Sequence, residues 1–256
     1  MGALGSRSLS KPFIPWFAKR YKINLDEAEH PLAHYPTLNK FFTRHLKEGL
    51  RPIAGAEDPK IICSPVDGVI AQYGPIDNET MIQAKGRYYN VKELLGSEEE
   101  AKPYIDGHFM TIYLSPQDYH RMHHYVDGEI EGFRYIPGKL FPVNQFSVAN
   151  VKDLFAVNER FTTYLESNGK KTAIVKVGAT VVGKIKVTYN HTESNCGIPV
   201  TAETFDKKIP IKKGDELGLF EMGSTVVMLF PKDGFQFNEF KLDQKVILGQ
   251  ELGRWL

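Results

Sequence analysis

Cysteine is almost missing from this chain: Cys63 and Cys196 are the two among 256 residues, and they form no CxxC pair. That excludes a disulfide-stapled scaffold and a zinc ribbon, and it fits a reducing compartment. Long apolar runs are missing as well. No stretch approaches the roughly 20 residues a helix needs to cross a bilayer, and the N-terminus lacks the apolar stretch of a signal peptide. Charge bias is also absent, because Lys plus Arg at 32 against Asp plus Glu at 31 leaves a net charge of +1. No overall field recruits nucleic acid or another polyanion, so any electrostatic recognition has to be local.

One local lack is informative. No acidic residue precedes Asp26, whereas Arg7, Lys11, Lys19, Arg20 and Lys22 alternate with Phe13, Ile14, Trp16, Phe17 and Tyr21. Such a basic, aromatic arm can lie in the headgroup zone of a membrane, or it can dock its rings on its own domain and leave the cations solvated. Pro12 and Pro15 keep it from forming one long amphipathic helix. Met1 to Ser6 also fits the lipidation pattern MGxxx[ST], a match short enough to arise without meaning. Asn24 ahead of Leu25-Asp26-Glu27-Ala28 predicts a capped short helix ended by Pro31. Thr37 predicts the cap of a second helix, with Leu38, Phe41, Phe42 and Leu46 at helical spacing and Gly49 and Pro52 at its end.

From about Ile61 the texture changes to short runs rich in Val, Ile, Thr and Tyr, broken by Gly, Asp-Gly and Pro-Gly. Strands are expected at Val69 to Tyr73, Phe109 to Leu114, Gly128 to Tyr135, Phe161 to Glu166, Thr172 to Val177, Thr180 to Thr188 and Thr225 to Phe230. Helices are expected only at Val91 to Leu95 and Pro116 to Tyr119. The pattern points to an α+β chain, predominantly β. Packed antiparallel sheets form one catalytic domain over residues 56–256, behind a helical N-terminal arm over residues 1–55.

Three places could carry chemistry. In Leu114-Ser115-Pro116-Gln117-Asp118-Tyr119-His120-Arg121-Met122-His123-His124, three of the eight histidines fall within five residues. His120 and His123 would share a face on a helical turn, and imidazole suits proton transfer near neutral pH. A polar loop with locally bonded histidines is the plain alternative. A metal site is not called, because neither HExxH nor a cysteine pair is present. Asp67, in Cys63-Ser64-Pro65-Val66-Asp67-Gly68-Val69, is a turn residue unless an imidazole stands beside it. Third, Ser224 in Glu221-Met222-Gly223-Ser224-Thr225-Val226-Val227 sits at a turn into a Val-rich strand. Gly223 has no Cβ, so its carbonyl is open to the neighbouring hydroxyl, a geometry suited to an N-to-O acyl shift.

DYHRxH followed at a distance by Gly-Ser-Thr resembles the phosphatidylserine decarboxylase family. So do Tyr21-Lys22-Ile23-Asn24-Leu25-Asp26-Glu27-Ala28, Leu38-Asn39-Lys40-Phe41-Phe42, Arg51-Pro52-Ile53 and Gln83-Ala84-Lys85-Gly86. Pro142-Val143-Asn144, Asn158-Glu159-Arg160 and Val177-Gly178-Ala179 extend the likeness, which runs from about residue 10 to near residue 230. Met222 stands where the bacterial pattern usually has Leu, and the N-terminal segment is short for the family.

The resemblance implies that Asp67 and His123 activate Ser224 for attack on Gly223. The chain then parts into residues 1–223 and 224–256, with a pyruvoyl cofactor made from Ser224. That ketone would form a Schiff base with phosphatidylserine and accept the electrons left as carbon dioxide departs, giving phosphatidylethanolamine. His120 or His123 would protonate the carbanion, and His124 has no implied role. With a lipid substrate, the arm becomes a membrane-facing segment that holds a peripheral enzyme on the anionic cytoplasmic face. A homodimer of processed protomers is also implied. Two other classes remain open at this point: a serine hydrolase using Ser224, His123 and Asp67 without self-cleavage, and a non-enzymatic membrane-associated β domain, which the turns of Lys213 to Gly218 also suit.

Overall fold

Residues 225–230 read Thr-Val-Val-Met-Leu-Phe with no polar alternation, as expected of a strand buried on both faces. The computed structural model describes residues 11–84, 86–180, 184–221 and 224–256, without the side chains of Gln145 and Ser224. Met1 to Ser6, Arg7, Lys85, Met222 and Gly223 therefore lie outside the described residues.

Among the described residues, sixteen strands form along the chain. They begin with β1 (Ile61–Cys63), β2 (Gly68–Pro75), β3 (Thr80–Ala84), β4 (Arg87–Asn90), β5 (His108–Leu114), β6 (Arg121–His123) and β7 (Gly128–Ile136). They continue with β8 (Arg160–Ser167), β9 (Lys170–Val177), β10 (Ile185–Val187), β11 (Thr201–Ile211) and β12 (Glu216–Phe220). The last are β13 (Ser224–Phe230), β14 (Phe235–Phe237), β15 (Lys245–Val246) and β16 (Glu251–Trp255). The main sheet has the order β11-β7-β8-β9-β13-β5-β2-β15, with every neighbouring pair antiparallel. Two three-stranded sheets, β10-β12-β6 and β1-β16-β14, and the hairpin β3-β4 complete the β structure.

Both faces of the main sheet are covered. Val226, Met228 and Phe230 of β13 join Ile185, Leu217, Phe220, Leu252 and Trp255 in one core. Val227 and Leu229 join a second core with Leu94 and Leu95 of helix α3 (Val91–Leu95) and Leu154 and Phe155 of helix α6 (Leu154–Val157). The prediction of a mainly β chain with antiparallel sheets is therefore met, and the expected strands appear close to their predicted bounds with one exception. Of Thr180 to Thr188, only Ile185–Val187 is a described strand, and residues 181–183 lie outside the description.

At the N-terminal end, helix α1 (Phe13–Arg20) carries Pro15 in its first turn, where the missing N–H would have had no helical partner. Ile14, Phe17 and Ala18 pack on Leu38, Phe41 and Phe42 of helix α2 (Leu38–Phe42), while Phe13 and Trp16 are 58% and 61% exposed. The aromatic arm thus divides: Phe17 docks inward and Phe13 and Trp16 face outward. Asn24 caps the 3-10 turn Leu25–Glu27 through the Asp26 N–H, as its position predicts. The predicted second helix is shorter than its spacing suggested. It ends at Phe42, where the Thr43 hydroxyl donates back to the Asn39 carbonyl.

Pro116 to Tyr119 is a correction: it is a turn, not a helix. The Asp118 carboxylate accepts from the Ser115 N–H at 2.7 Å and the Ser115 hydroxyl at 2.8 Å, which closes the chain locally and replaces helical bonding. His120 and His123 consequently share no helical face, since His123 ends a strand.

Polar anchors hold the surrounding loops. Buried Gln83 donates to the Val148 and Val151 carbonyls and accepts from the Leu154 N–H, tying helix α5 (Gln145–Asn150) and α6 to β3. Arg160 donates to the carbonyls of Glu93, Leu94 and Asn158, satisfying the end of α3. Asn158 bonds the Phe141 N–H, the Phe141 carbonyl and the Gly178 carbonyl at 2.9–3.0 Å. Replacing Asn158 by Ala strands these buried groups. The expected loss is about 1–3 kcal/mol, with faster amide exchange at Phe141. Urea denaturation and hydrogen exchange measure both, and an unchanged midpoint would refute the anchoring role.

Candidate active site

Two adjacent segments frame the predicted cleavage position. Residue 224 opens β13 and pairs with Leu114, the last residue of β5. The turn Ser115–Asp118 then leads to His120, whose carbonyl accepts the Phe220 N–H at 3.0 Å. The stretch 114–120 is therefore bonded to both sides of residues 221–223. This places His120 beside the predicted cleavage segment by backbone register alone.

His120 is fully buried, with its ring 4.0 Å from that of Phe42 on α2. Its Nδ1 donates to the Asp118 carbonyl at 2.9 Å, and its Nε2 has no hydrogen bond among the described residues. Burial drives its pKa down to about 3, so the ring is neutral at physiological pH. A buried neutral imidazole with one nitrogen committed to a carbonyl has a defined tautomer and one open lone pair.

His123 is set by different partners. Its backbone N–H donates to the Pro65 carbonyl at 2.9 Å, and it pairs with Glu216 across β6 and β12. Its Nδ1 donates to the Gly214 carbonyl at 2.7 Å. Gly214 has φ +92°, a left-handed conformation that favours glycine and shapes the turn presenting that carbonyl. The Nε2 is thereby left as the acceptor, 3.4 Å from the Tyr119 hydroxyl. Burial lowers the His123 pKa from its ordinary value, keeping that nitrogen unprotonated.

Asp67 does not orient His123. Its carboxylate accepts from Arg51 Nε at 2.9 Å and Nη2 at 2.6 Å, and from the Leu248 N–H at 2.8 Å. Arg51 Nη2 also donates to Glu27 at 2.8 Å, and the Asp67 bond is the main reason its pKa is raised. No hydrogen bond or ion pair joins Asp67 to His123 among the described residues; the Gly214 carbonyl holds the imidazole where a triad carboxylate would. Gly68 is there for close approach, because a Cβ on it would lie 2.5 Å from the Tyr113 carbonyl. Tyr119 is buried, its hydroxyl faces His123, and its pKa is raised mainly by burial, with Arg121 and Glu216 the leading neighbouring charges.

Two cavities meet here. A charged one of about 210 Å³ is lined by Arg51, Asp67, Asp118, Tyr119 and Lys245. A larger cleft of about 870 Å³, lined by Val69, Tyr113, Ser115, Val143, Phe146 and Leu242, runs past the end of β5, and Gln117 lines both. Sequence reasoning singled out Asp67, His120 and His123 but missed Arg51, Tyr119 and Gly214 as their partners. Tyr119 lay inside the DYHR stretch and Arg51 inside a segment already noted, yet only the fold pairs residues 16 apart or 91 apart. Gly223 lies outside the described residues, and Ser224 is described only through its backbone.

A family model described as phosphatidylserine decarboxylase matches residues 38–254. A phosphatidylserine decarboxylase proenzyme of Myxococcus xanthus is 48% identical over 238 residues, covering 93% of this chain and 84% of that protein. Proenzymes of the same name from Vibrio parahaemolyticus and Brevibacillus brevis are each 43% identical, over 90% and 98% of this chain and 83% and 91% of theirs.

The neutral histidines make stability depend on pH. His124, 3% exposed, is held like His120 down to about 3 by burial. Between the ordinary pKa of 6.5 and about 3, the unfolded chain binds protons at these positions that the folded chain does not. Stability therefore rises with pH across that window and falls on acidification, by about 1.4 kcal/mol per pH unit for each histidine. Urea unfolding at pH 7 and pH 5 should show His124→Gln losing about 2 kcal/mol less than the unsubstituted chain. Equal losses would sink this account.

Proposed function

The chain belongs to the phosphatidylserine decarboxylase family and is a decarboxylase, and from that premise we propose that it cuts its own Gly223–Ser224 bond, converts Ser224 to a pyruvoyl group, and turns phosphatidylserine into phosphatidylethanolamine and carbon dioxide. The observation that carries this reading is the bonding of residues 114–120 to both sides of 221–223. It supports a role for His120 at that bond.

In the processing step, the Ser224 hydroxyl attacks the Gly223 carbonyl, forming an ester as the peptide C–N bond breaks. β-Elimination then frees residues 1–223 with a carboxylate and leaves dehydroalanine at 224, whose imine tautomer hydrolyses with loss of ammonia. His123 takes the hydroxyl proton, a role supported by its open Nε2 and by the Gly214 bond that fixes its tautomer. Asp67 assists through the charged cavity that it lines with Arg51 and Tyr119.

The position fits a carbonyl group at the start of a strand, since the cleft beside Tyr113 and Ser115 has room for a lipid headgroup and glycerol. When present, the pyruvoyl group supplies the electron sink for loss of carbon dioxide. His120 is the carrier of the proton that replaces the carboxylate. Its Nε2, left without a hydrogen bond among the described residues, is the nitrogen available to that proton.

Residues 1–55 serve as a membrane-associating arm before the catalytic region 56–256. Support comes from exposed Phe13 and Trp16 beside Lys19 and Arg20 in the last turn of α1, a surface suited to the anionic cytoplasmic face. No described helix is long and apolar enough to cross a membrane. The working form is a homodimer of processed protomers.

Intact mass measurement, before and after a carbonyl reagent, tests the core of this reading. The expected products are residues 1–223 and 224–256, only the latter reacting. Ser224→Ala should remain one chain, and His123→Gln should slow cutting by about 10²–10⁴-fold. His120→Gln should cut yet lose decarboxylation. A chain that stays whole on prolonged incubation and reacts with serine-directed probes would instead indicate a hydrolase.

A further inference from the structure

In the segment Asn158-Glu159-Arg160, the outer two side chains have structural tasks, since both hold backbone carbonyls of neighbouring elements. Glu159 is half-engaged. It is 4% exposed, and its Oε1 accepts from the Tyr135 hydroxyl and from the Asn195 N–H, each at 2.6 Å. Its Oε2 is buried and has no hydrogen bond among the described residues. Leaving a buried carboxylate oxygen open is costly, so its placement calls for a reason.

That oxygen lies beside Gly178. The Gly178 N–H donates to the Glu159 carbonyl at 2.8 Å, one step past the pairing of Arg160 with Val177. On its other side β9 pairs Val177 with Thr225, so the next step brings Gly178 abreast of residue 224, which itself pairs with Leu114. Positions 159, 178, 224 and 114 thus form one row across the ends of β8, β9, β13 and β5. The row has the parity of Phe161, Val226 and Leu114, which all belong to the first core, and of Lys176, whose ammonium stands 5.3 Å from the centre of the Phe161 ring. Gly178 is the one member of the row without a side chain, and its φ is not left-handed. A Cβ on it would lie 3.6 Å from Glu159 Oε2. Its absence leaves a gap between that oxygen and residue 224, one strand spacing of about 4.8 Å further on. Both groups belong to the chain, so burial of Oε2 keeps water out without barring residue 224.

Self-cleavage needs a base at this point. In the acyl shift the proton of the Ser224 hydroxyl passes to the nitrogen freed at residue 224, which leaves the Cα proton to be removed in the elimination. We propose that Glu159 is the base of that step, an inference that rests on the reading of Ser224 as the site of self-cleavage. Oε2 takes the Cα proton of residue 224, and the C–H electron pair becomes the Cα=Cβ double bond. The Cβ–Oγ bond breaks, its electrons leaving with the Gly223 carboxylate. Tyr135 and the Asn195 N–H hold the other oxygen and aim the carboxyl group.

Glu159→Gln tests this, because the amide keeps an oxygen for Tyr135 and Asn195 but carries no base at the second position. Intact mass of the full chain is followed over time, with and without neutral hydroxylamine, which splits an ester and spares an amide. Cutting should slow by at least about 100-fold. Hydroxylamine should then release residues 1–223 as a hydroxamate and 224–256 with unconverted serine at its start, which shows an ester formed but not eliminated. A merely structural role would not give that product. Gly178→Ala keeps the carboxylate but sets a methyl group in the gap, should trap the same ester, and decides the matter if Glu159→Gln does not fold. Variants cut at the unsubstituted rate, or slowed yet resistant to hydroxylamine, overturn the assignment of Glu159 alone. An unsubstituted chain that never cuts overturns the self-cleavage reading together with it.

Discussion

Burial of β13 on both faces is the constraint from which the rest of the molecule follows. A strand with Val226, Met228 and Phe230 on one side and Val227 and Leu229 on the other needs two cores and two hydrogen-bonded neighbours. β5 and β9 supply the bonds, and the small sheets and the helices supply the covers. Because β13 is pinned from Ser224 to Phe230, its first residue is fixed opposite Leu114. The chain leaving Leu114 has no choice but to turn beside that point, and the turn carries Asp118, Tyr119 and His120.

Low polarity then sets the chemistry. Burial desolvates His120, His123 and His124, and each loses basicity as a result. Backbone carbonyls fix two of these rings, at Asp118 and at Gly214. A carbonyl orients an imidazole without adding a full charge, so it stabilises the charged form less than a carboxylate would. The carboxylate nearby, Asp67, is instead saturated by Arg51 and a backbone N–H. The result favours bases that are neutral at rest over a permanently charged relay.

Much of this was legible in the sequence, unevenly. β-branched runs located the central strands, and the DYHRxH stretch located both histidines. Edge strand β11 escaped notice because its sequence, Thr-Ala-Glu-Thr-Phe-Asp-Lys-Lys-Ile-Pro-Ile, is mostly polar and bulges between Thr204 and Ile209, as exposed edges often do. Pro116 imitated a helix start, whereas the Ser115–Asp118 side-chain bonds close a turn. The pairing of Arg51 with Asp67 and of His123 with Gly214 depends on contacts between separate elements, which no local pattern encodes.

On the proposed reading Ser224 is first a nucleophile and then part of an electrophile, roles that cannot coexist in one molecule, so the scaffold would have to survive the change between them. The hydrogen bonds make that possible. A chain parted before residue 224 would still hold β13 along its length, from Ser224 against Leu114 to Phe230 against His108, with β9 on the other side. His120 would remain tied to Asp118 and Phe220, and His123 to Pro65 and Gly214, all upstream of the break. A chain end made by such a cut would lose its covalent neighbour while its sheet and both imidazoles kept their anchors. The strand end at Ser224 pairs with Leu114, from which the chain leads to buried His120 and along the cleft lined by Tyr113 and Ser115.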